Sequence, residues 1–325
     1  MCNVGGTGIE MNDKICKVSC DAGTIKGRIS EEGISIFKGI PYACPPVGEL
    51  RWKPPVPAQK LDDFEAYEFG DIPCQNFDEV VDPMNFGGYE PIEQMSEDCL
   101  TLNIWTKGKP RDKKPVLFWI YGGAFIKGYG RSPQFDGRNL VENEDIVLVT
   151  INHREGLLAT MNFSSIDPEG EYRYSNNLYI MDQIQALRWC HENIAAFGGD
   201  PENVTLYGHS SGSNSVTHLL LSRETGEYYK KAICQSSFFT GCGQTSLEWS
   251  RKISDKVLEL LSVHSKEELK TIPVERILEV QKQLFTVKFE GFKGKLFSPV
   301  PDGLTVPQDS IQEILGGRLA DAGMQ

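Results

Sequence analysis

Long apolar runs are missing from this sequence of 325 residues, the longest being the strand-sized stretches 116–120 and 146–151. A membrane-spanning helix needs about 20 apolar residues in a row, so the sequence offers no span. A basic stripe is missing too. Lysine and arginine number 33 against 45 acidic residues, a net charge of −12, which speaks against nucleic acid and anionic membrane as partners and otherwise reads as solubility. The opening residues 1–13 are polar and lack the apolar core of a secretory signal, so they read as a disordered N-terminus. The expected location is the cytoplasm, or a secreted or ER-lumenal one if the true N-terminus lies upstream. Cysteine is odd in number, nine in all, and without a signal sequence the expectation is cytosolic thiols. Histidine is scarce, at 153, 191, 209, 218 and 264, with none beyond. Linkers, repeats and low-complexity tracts are absent from the interior, and 40% hydrophobic content suffices for a core. Residues 14–325 therefore read as one domain.

What is present centres on Tyr207-Gly208-His209-Ser210-Ser211-Gly212. This G-x-S-x-G falls where the apolar strand 204–207 ends and a helix begins, with Val216, Leu219 and Leu220 at helical spacing. A serine forced into that turn has its hydroxyl pushed out above the sheet, and only very small residues fit two places either side of it, here Gly208 and Gly212. Taken alone the pattern also describes a turn with a helix N-cap.

A second segment adds to it. Residues 114–120 form a continuous apolar run opening into Tyr121-Gly122-Gly123-Ala124-Phe125. Acyl transfer places negative charge on the former carbonyl oxygen, and backbone N–H groups on a loop without bulky side chains stabilise it. The N–H groups of Gly123, Ala124 and Ser211 make the expected oxyanion hole around the Ser210 nucleophile.

The run Ser96-Glu97-Asp98-Cys99-Leu100-Thr101-Leu102-Asn103-Ile104 closely resembles a stretch of the type-B carboxylesterases, the family that includes the cholinesterases. Further blocks match it in order: 37–43, 151–156, 181–189, 193–201, 233–237 and 298–303, so the resemblance covers about 17 to 315. It implies an α/β-hydrolase fold, an acyl-serine mechanism on carboxylic esters, and no cofactor or metal. It also implies two buried charge pairs that brace the scaffold, Arg51 with Glu97 and Arg154 with Asp182. Cys74 and Cys99 match a pair that closes a disulfide loop in secreted relatives.

A serine hydroxyl needs a base, and the base an orienting acid. In this fold both follow the nucleophile in the order Ser, Asp or Glu, His, and in the family both lie beyond the block around Asp302. The sequence stops before either. Glu313 in an expected helix and Asp321 in an irregular tail carry little weight, and no histidine is placed to substitute. His209 is expected beneath the elbow in the scaffold, His191 on an outer helix face, His218 behind Ser210, His153 beside a structural arginine in the place of a family tyrosine, and His264 in solvent. Tyr89 stands where cholinesterases keep a tryptophan for the choline cation, and His209 replaces an acidic residue; both weaken cation recognition.

Strands are expected near 16–19, 24–28, 35–38, 100–105, 116–120, 146–151, 204–207 and 231–234, and helices near 177–197, 211–221, 247–261 and 274–284. The alternation after Val116 argues for a mostly parallel central sheet flanked by helices, here the N-terminal part of the fold with its C-terminal strands missing. Three readings follow: a serine carboxylesterase seen in part, a shortened pseudo-esterase, and a cholinesterase-like interaction protein.

Overall fold

The computed structural model describes residues 14–76, 95–237 and 243–316. The expected disordered stretch 1–13, Tyr89 and Asp321 lie outside them. Among the described residues, eleven strands and seven α-helices follow one another in chain order. The first half supplies β1 (Lys14–Cys20), β2 (Gly23–Ile29), β3 (Ser35–Pro41), β4 (Leu61–Glu65), the two-residue β5 (Ile72–Pro73) and β6 (Met95–Ser96), β7 (Thr101–Thr106) and β8 (Lys114–Ile120). Then follow α1 (Arg138–Asn143), β9 (Val147–Ile151), α2 (Leu178–Asn193), β10 (Gly199–His209), α3 (Ser211–Leu221), β11 (Lys231–Gln235), α4 (Leu247–Leu261), α5 (Lys266–Leu269), α6 (Val274–Leu284) and α7 (Ser310–Leu315).

The main sheet has the order β1-β2-β3-β7-β9-β8-β10-β11, with β4 added beside β2. It is mixed, which corrects the expectation of a mostly parallel sheet. From β1 through β7 to β9 the neighbours run antiparallel, and only β9-β8-β10-β11, with β4 on β2, pair in parallel. Antiparallel strands tolerate short links, as the two-residue turn between β1 and β2 shows, whereas parallel neighbours need a long crossover. Helical crossovers begin only after β8, so the parallel half begins there.

The central strands are buried along their length: β7 and β9 expose no residue. Such strands read as apolar runs, which is why their positions were legible. α2 is buried on nearly all sides, the signature of a core helix rather than a surface one. Its continuation 194–197 is a 3-10 turn stopped by Gly198 at φ 88°, a left-handed position that glycine occupies without strain. α4 is capped by Ser246, whose Oγ accepts the Trp249 N–H at 3.3 Å.

Two buried ion pairs tie these layers. Arg154 grips Asp182 of α2 through Nε at 2.9 Å and Nη2 at 2.6 Å, while its own N–H donates to the same carboxylate at 3.0 Å. Arg51 pairs with Glu97 at 2.7 and 2.5 Å and donates through Nη1 to the Ile272 carbonyl at 2.6 Å, joining the N-terminal layer to the segment before α6. β11 is the edge of the sheet among the described residues and is mostly exposed, Ile233 at 44%.

Asp182 is fully buried, so Asp182→Ala leaves the Arg154 guanidinium without its charge partner in the core. Breaking a buried pair in this way costs about 3–5 kcal/mol. Urea unfolding of the variant is expected to show a loss of that size, and a loss under about 1 kcal/mol, the scale of a surface pair, would contradict it.

Candidate active site

β10 runs out at His209 and α3 starts at Ser211, so a single residue must turn the chain. Ser210 does so at φ 54°, ψ −121°, a region that costs a non-glycine residue on the order of 1–3 kcal/mol. The neighbours leave no alternative. A Cβ on Gly208 would stand 2.4 Å from the Gly212 carbonyl oxygen, and one on Gly212 would stand 2.2 Å from the oxygen of Ile120 and 2.5 Å from that of Tyr121. Strand β8, strand β10 and helix α3 therefore touch backbone to backbone. The Ser210 N–H donates to the Gln235 carbonyl of β11 at 2.8 Å, and the Ser210 carbonyl accepts from the Asn214 N–H at 3.0 Å and the Ser213 Oγ at 2.9 Å.

The loop after β8 meets this elbow directly. A Cβ on Gly122 would lie 2.6 Å from the His209 carbonyl oxygen and 3.0 Å from Ser210 Cβ. Gly123, Ala124 and Phe125 then all take positive φ, at 146°, 59° and 62°, so their N–H groups turn out of the usual extended directions. Among the described residues no protein acceptor takes the N–H of Gly123 or Ala124. Ser211 opens α3, where first-turn N–H groups have no partner inside the helix. The three N–H groups named from the sequence thus lie on two segments that meet at the Ser210 turn.

Several residues that fix this loop escaped the sequence reading. Gln75, buried, accepts the Gly128 N–H at 2.7 Å and donates back to the Gly128 carbonyl at 3.0 Å and to Pro73 at 2.8 Å. Asn152 accepts the Gly130 N–H at 2.7 Å and donates to the Asp71 carbonyl at 3.0 Å. Gly156 N–H donates to Phe125 at 2.8 Å. Asn152 and Gly122 sat inside quoted segments, but nothing in one sequence marks a buried amide as a clamp.

The histidines separate. His209 is exposed, which corrects the expectation that it points beneath the elbow. Along β10 the buried positions are 204, 206 and 208, so the period of two turns 209 to the same open face as Thr205 and Tyr207. His218 is buried behind the elbow, its Nδ1 at 2.7 Å from the Asn214 carbonyl, and burial lowers its pKa to about 4. His191 is half-buried against the Tyr228 ring at 5.1 Å, and His264 is exposed. His153 stacks on Tyr121 at 4.5 Å and 11°, with Nδ1 donating to the Arg154 carbonyl at 3.0 Å and 3.6 Å from Glu155. Among the described residues no side chain hydrogen-bonds to the Ser210 hydroxyl. Asp302 caps its own turn, accepting from Leu304, Thr305 and Val306, and binds Asn177 at 2.9 Å. Glu313 lies in α7.

Cys74 and Cys99 are both buried free thiols. Burial pushes Cys74 up to about 12 and Cys99 well above its ordinary value, which leaves both protonated and unreactive.

The family model described as the carboxylesterase family matches residues 12–318. The para-nitrobenzyl esterase of Bacillus subtilis (strain 168) is 34% identical over 304 residues, 92% of this chain and 59% of its own length. The acetylcholinesterase of Electrophorus electricus is 33% identical over 88% of this chain and 46% of its own. Among solved structures, a carboxylesterase of Geobacillus stearothermophilus superposes with a TM-score of 0.82 at 36% identity, over 95% of this chain and 60% of that one. The chain thus spans about 60% of the length of these bacterial relatives.

The pair behind Tyr121 generates a pH prediction. Burial raises the Glu155 carboxyl well above 4.5, the Tyr121 hydroxyl opposing it, whereas burial lowers His153 to about 4. His153 and His218, depressed, add stability that is present above 6.5 and lost as pH falls toward 4. Glu155, raised, adds stability that is present below 4.5 and lost as pH rises through its folded value. The wild type and Glu155→Gln share the histidine contribution, so the difference between them isolates the carboxyl from pH 4.5 upward. Urea titrations above that pH are expected to show Glu155→Gln gaining stability over the wild type as pH rises. A constant difference, or one that shrinks with pH, would show that Glu155 is not held neutral by the fold.

Proposed function

Because the chain belongs to the carboxylesterase family, with its α/β-hydrolase fold, we propose that it carries the acyl-transfer half of a serine esterase acting on carboxylic esters. The observation that carries this reading is the juxtaposition at Ser210. A nucleophile candidate held at φ 54° faces a loop whose Gly123 and Ala124 N–H groups have no protein acceptor among the described residues. Ser210 Oγ attacks the ester carbonyl carbon, and its proton must leave as the new bond forms. The carbonyl oxygen takes up the electron pair and is met by the N–H groups of Gly123, Ala124 and Ser211. Collapse of this tetrahedral species expels the alcohol, which needs a proton, and water then hydrolyses the acyl-serine by the same route.

Both proton transfers call for a base that the described histidines do not provide, and we place it, with its orienting acid, in the part of the relatives that this chain does not span. Further strands of the sheet belong to the same proposal. They would pair with β11, whose exposed edge otherwise invites association. That no side chain among the described residues hydrogen-bonds to the Ser210 hydroxyl favours a second reading, a pseudo-esterase that binds esters without turnover. An exposed His209 where an acidic residue would attract a cation speaks against choline esters.

Hydrolysis of a p-nitrophenyl ester by residues 1–325 tests the division of labour. Losing triad function costs on the order of 10⁶ in a serine hydrolase, so the chain is expected to fall below the Bacillus subtilis para-nitrobenzyl esterase by a factor of that order. A Ser210-dependent rate within about tenfold of that enzyme would contradict it, since the base would then lie within these residues.

A further inference from the structure

From the last turn of α6 onward the chain reverses the charge of the rest of the molecule. Residues 282–297 hold Lys282, Lys288, Lys293 and Lys295 against Glu290 alone, with Phe285, Phe289, Phe292 and Phe297 spaced among them. α6 buries Ile277, Val280 and Leu284, yet Phe285, the next residue, is 54% exposed. Phe289 and Phe292 are half-buried with ring centroids 6.2 Å apart, and Phe292 meets Trp249 of α4 at 5.0 Å. Lys252 lies 4.6 Å over the Trp249 ring, paired with Glu248, while Lys288 and Lys293 are exposed. The result is a ledge of aromatic edges rimmed by ammonium groups.

We propose that this ledge docks the protein on the headgroup layer of an anionic lipid bilayer. Phe285 enters the acyl boundary, and Lys288 and Lys293 meet the lipid phosphates and carboxylates. An apolar ring flanked by lysines is poorly served by water on all sides but suits an interface that is apolar below and anionic above. Phenylalanines and lysines are interspersed along residues 282–297, and an exposed ring beside exposed ammonium groups is the pairing that an anionic interface satisfies. The net charge of −12 does not decide this, because charges beyond about 8 Å are screened at physiological salt and a local run of lysines acts within that range.

The ledge is tied to the elbow. Thr245 donates through Oγ1 to the Lys295 carbonyl at 2.8 Å and through N–H to Pro299 at 2.9 Å, and Asn214 of α3 donates to the Gly243 carbonyl at 2.9 Å. Docking would bring esters dissolved in the bilayer toward the nucleophile helix. That use rests on the ester-hydrolase reading; the docking does not.

Co-sedimentation with vesicles tests it on the whole chain without any need for turnover. Vesicles of phosphatidylcholine alone are compared with vesicles of phosphatidylcholine and phosphatidylserine in equal parts, at low and high salt. The wild type and Ser210→Ala are expected to sediment alike with the anionic vesicles, less at high salt, and to stay in solution with the neutral ones. Lys288→Glu with Lys293→Glu, and separately Phe285→Ser, should weaken binding by roughly tenfold or more. Lys14→Glu with Lys60→Glu, exposed positions on β1 and just before β4, should bind as the wild type does. These replacements are at exposed positions, and a thermal melt checks that each variant is folded. Failure to bind anionic vesicles, equal binding to neutral ones, indifference to the ledge substitutions, or an equal loss in the Lys14 and Lys60 variant would overturn the proposal.

Discussion

The close approach of backbone to backbone under Gly212 is the constraint on which the rest depends. The first turn of α3 rests directly on the carbonyls that end β8, and any side chain at 212 would drive helix and strand apart. Because the two elements meet there, β10 has one residue in which to turn, and Ser210 must take a left-handed conformation. Because Gly122 lies against Ser210 Cβ, the loop carrying Gly123 and Ala124 cannot settle elsewhere. A nucleophile candidate and the candidate oxyanion donors are thus products of one packing arrangement. Removing that arrangement would disperse all of them together.

Apolar packing alone does not fix a loop to a fraction of an ångström, and the structure adds directional bonds for that purpose. Gln75 and Asn152 clamp the far end of the loop at Gly128 and Gly130, and β11 contributes the Gln235 carbonyl to the elbow. Behind them stand the two buried ion pairs. Their geometry is bidentate, which offsets part of the desolvation cost and makes any shift of the joined layers expensive. Tyr121, between β8 and the loop, is wedged against His153 on one side and approached by Gly128 on the other. The neutral forms of His153 and Glu155 follow from that burial.

How much of this could be read beforehand depends on what each residue answers to. Gly208, Ser210 and Gly212 were legible because a steric requirement acts at fixed spacing. The central strands were legible because burial on both faces leaves an apolar run, and the end of the helical stretch was legible from the Gly198-Gly199-Asp200-Pro201 breaker. The antiparallel half of the sheet was not, since pairing direction depends on where the chain returns; nor was β4, whose exposed Asp62, Asp63 and Glu65 hide a strand. His209 was placed on the wrong face because the strand period was not carried through the motif. Gln75 and Asn152 were invisible as clamps because a buried amide is recognisable only by its partners. The charge reversal from the last turn of α6 onward was overlooked when one net charge stood for the whole chain.

The central claim is that the fold, by close packing and directional bonds together, preorganises Ser210 and its three candidate donors, whether or not a base is present. Oxyanion stabilisation and binding retain roughly 10³ to 10⁴ of rate over water when a triad is removed, so Ser210 should still be the serine that reacts. Peptide mass spectrometry after prolonged exposure of this chain to an alkyl fluorophosphonate measures that directly. Selective modification of Ser210, lowered by Gly122→Ala and abolished by Ser210→Ala, is the predicted result. Modification spread evenly over exposed serines, or concentrated on another one, would contradict the account.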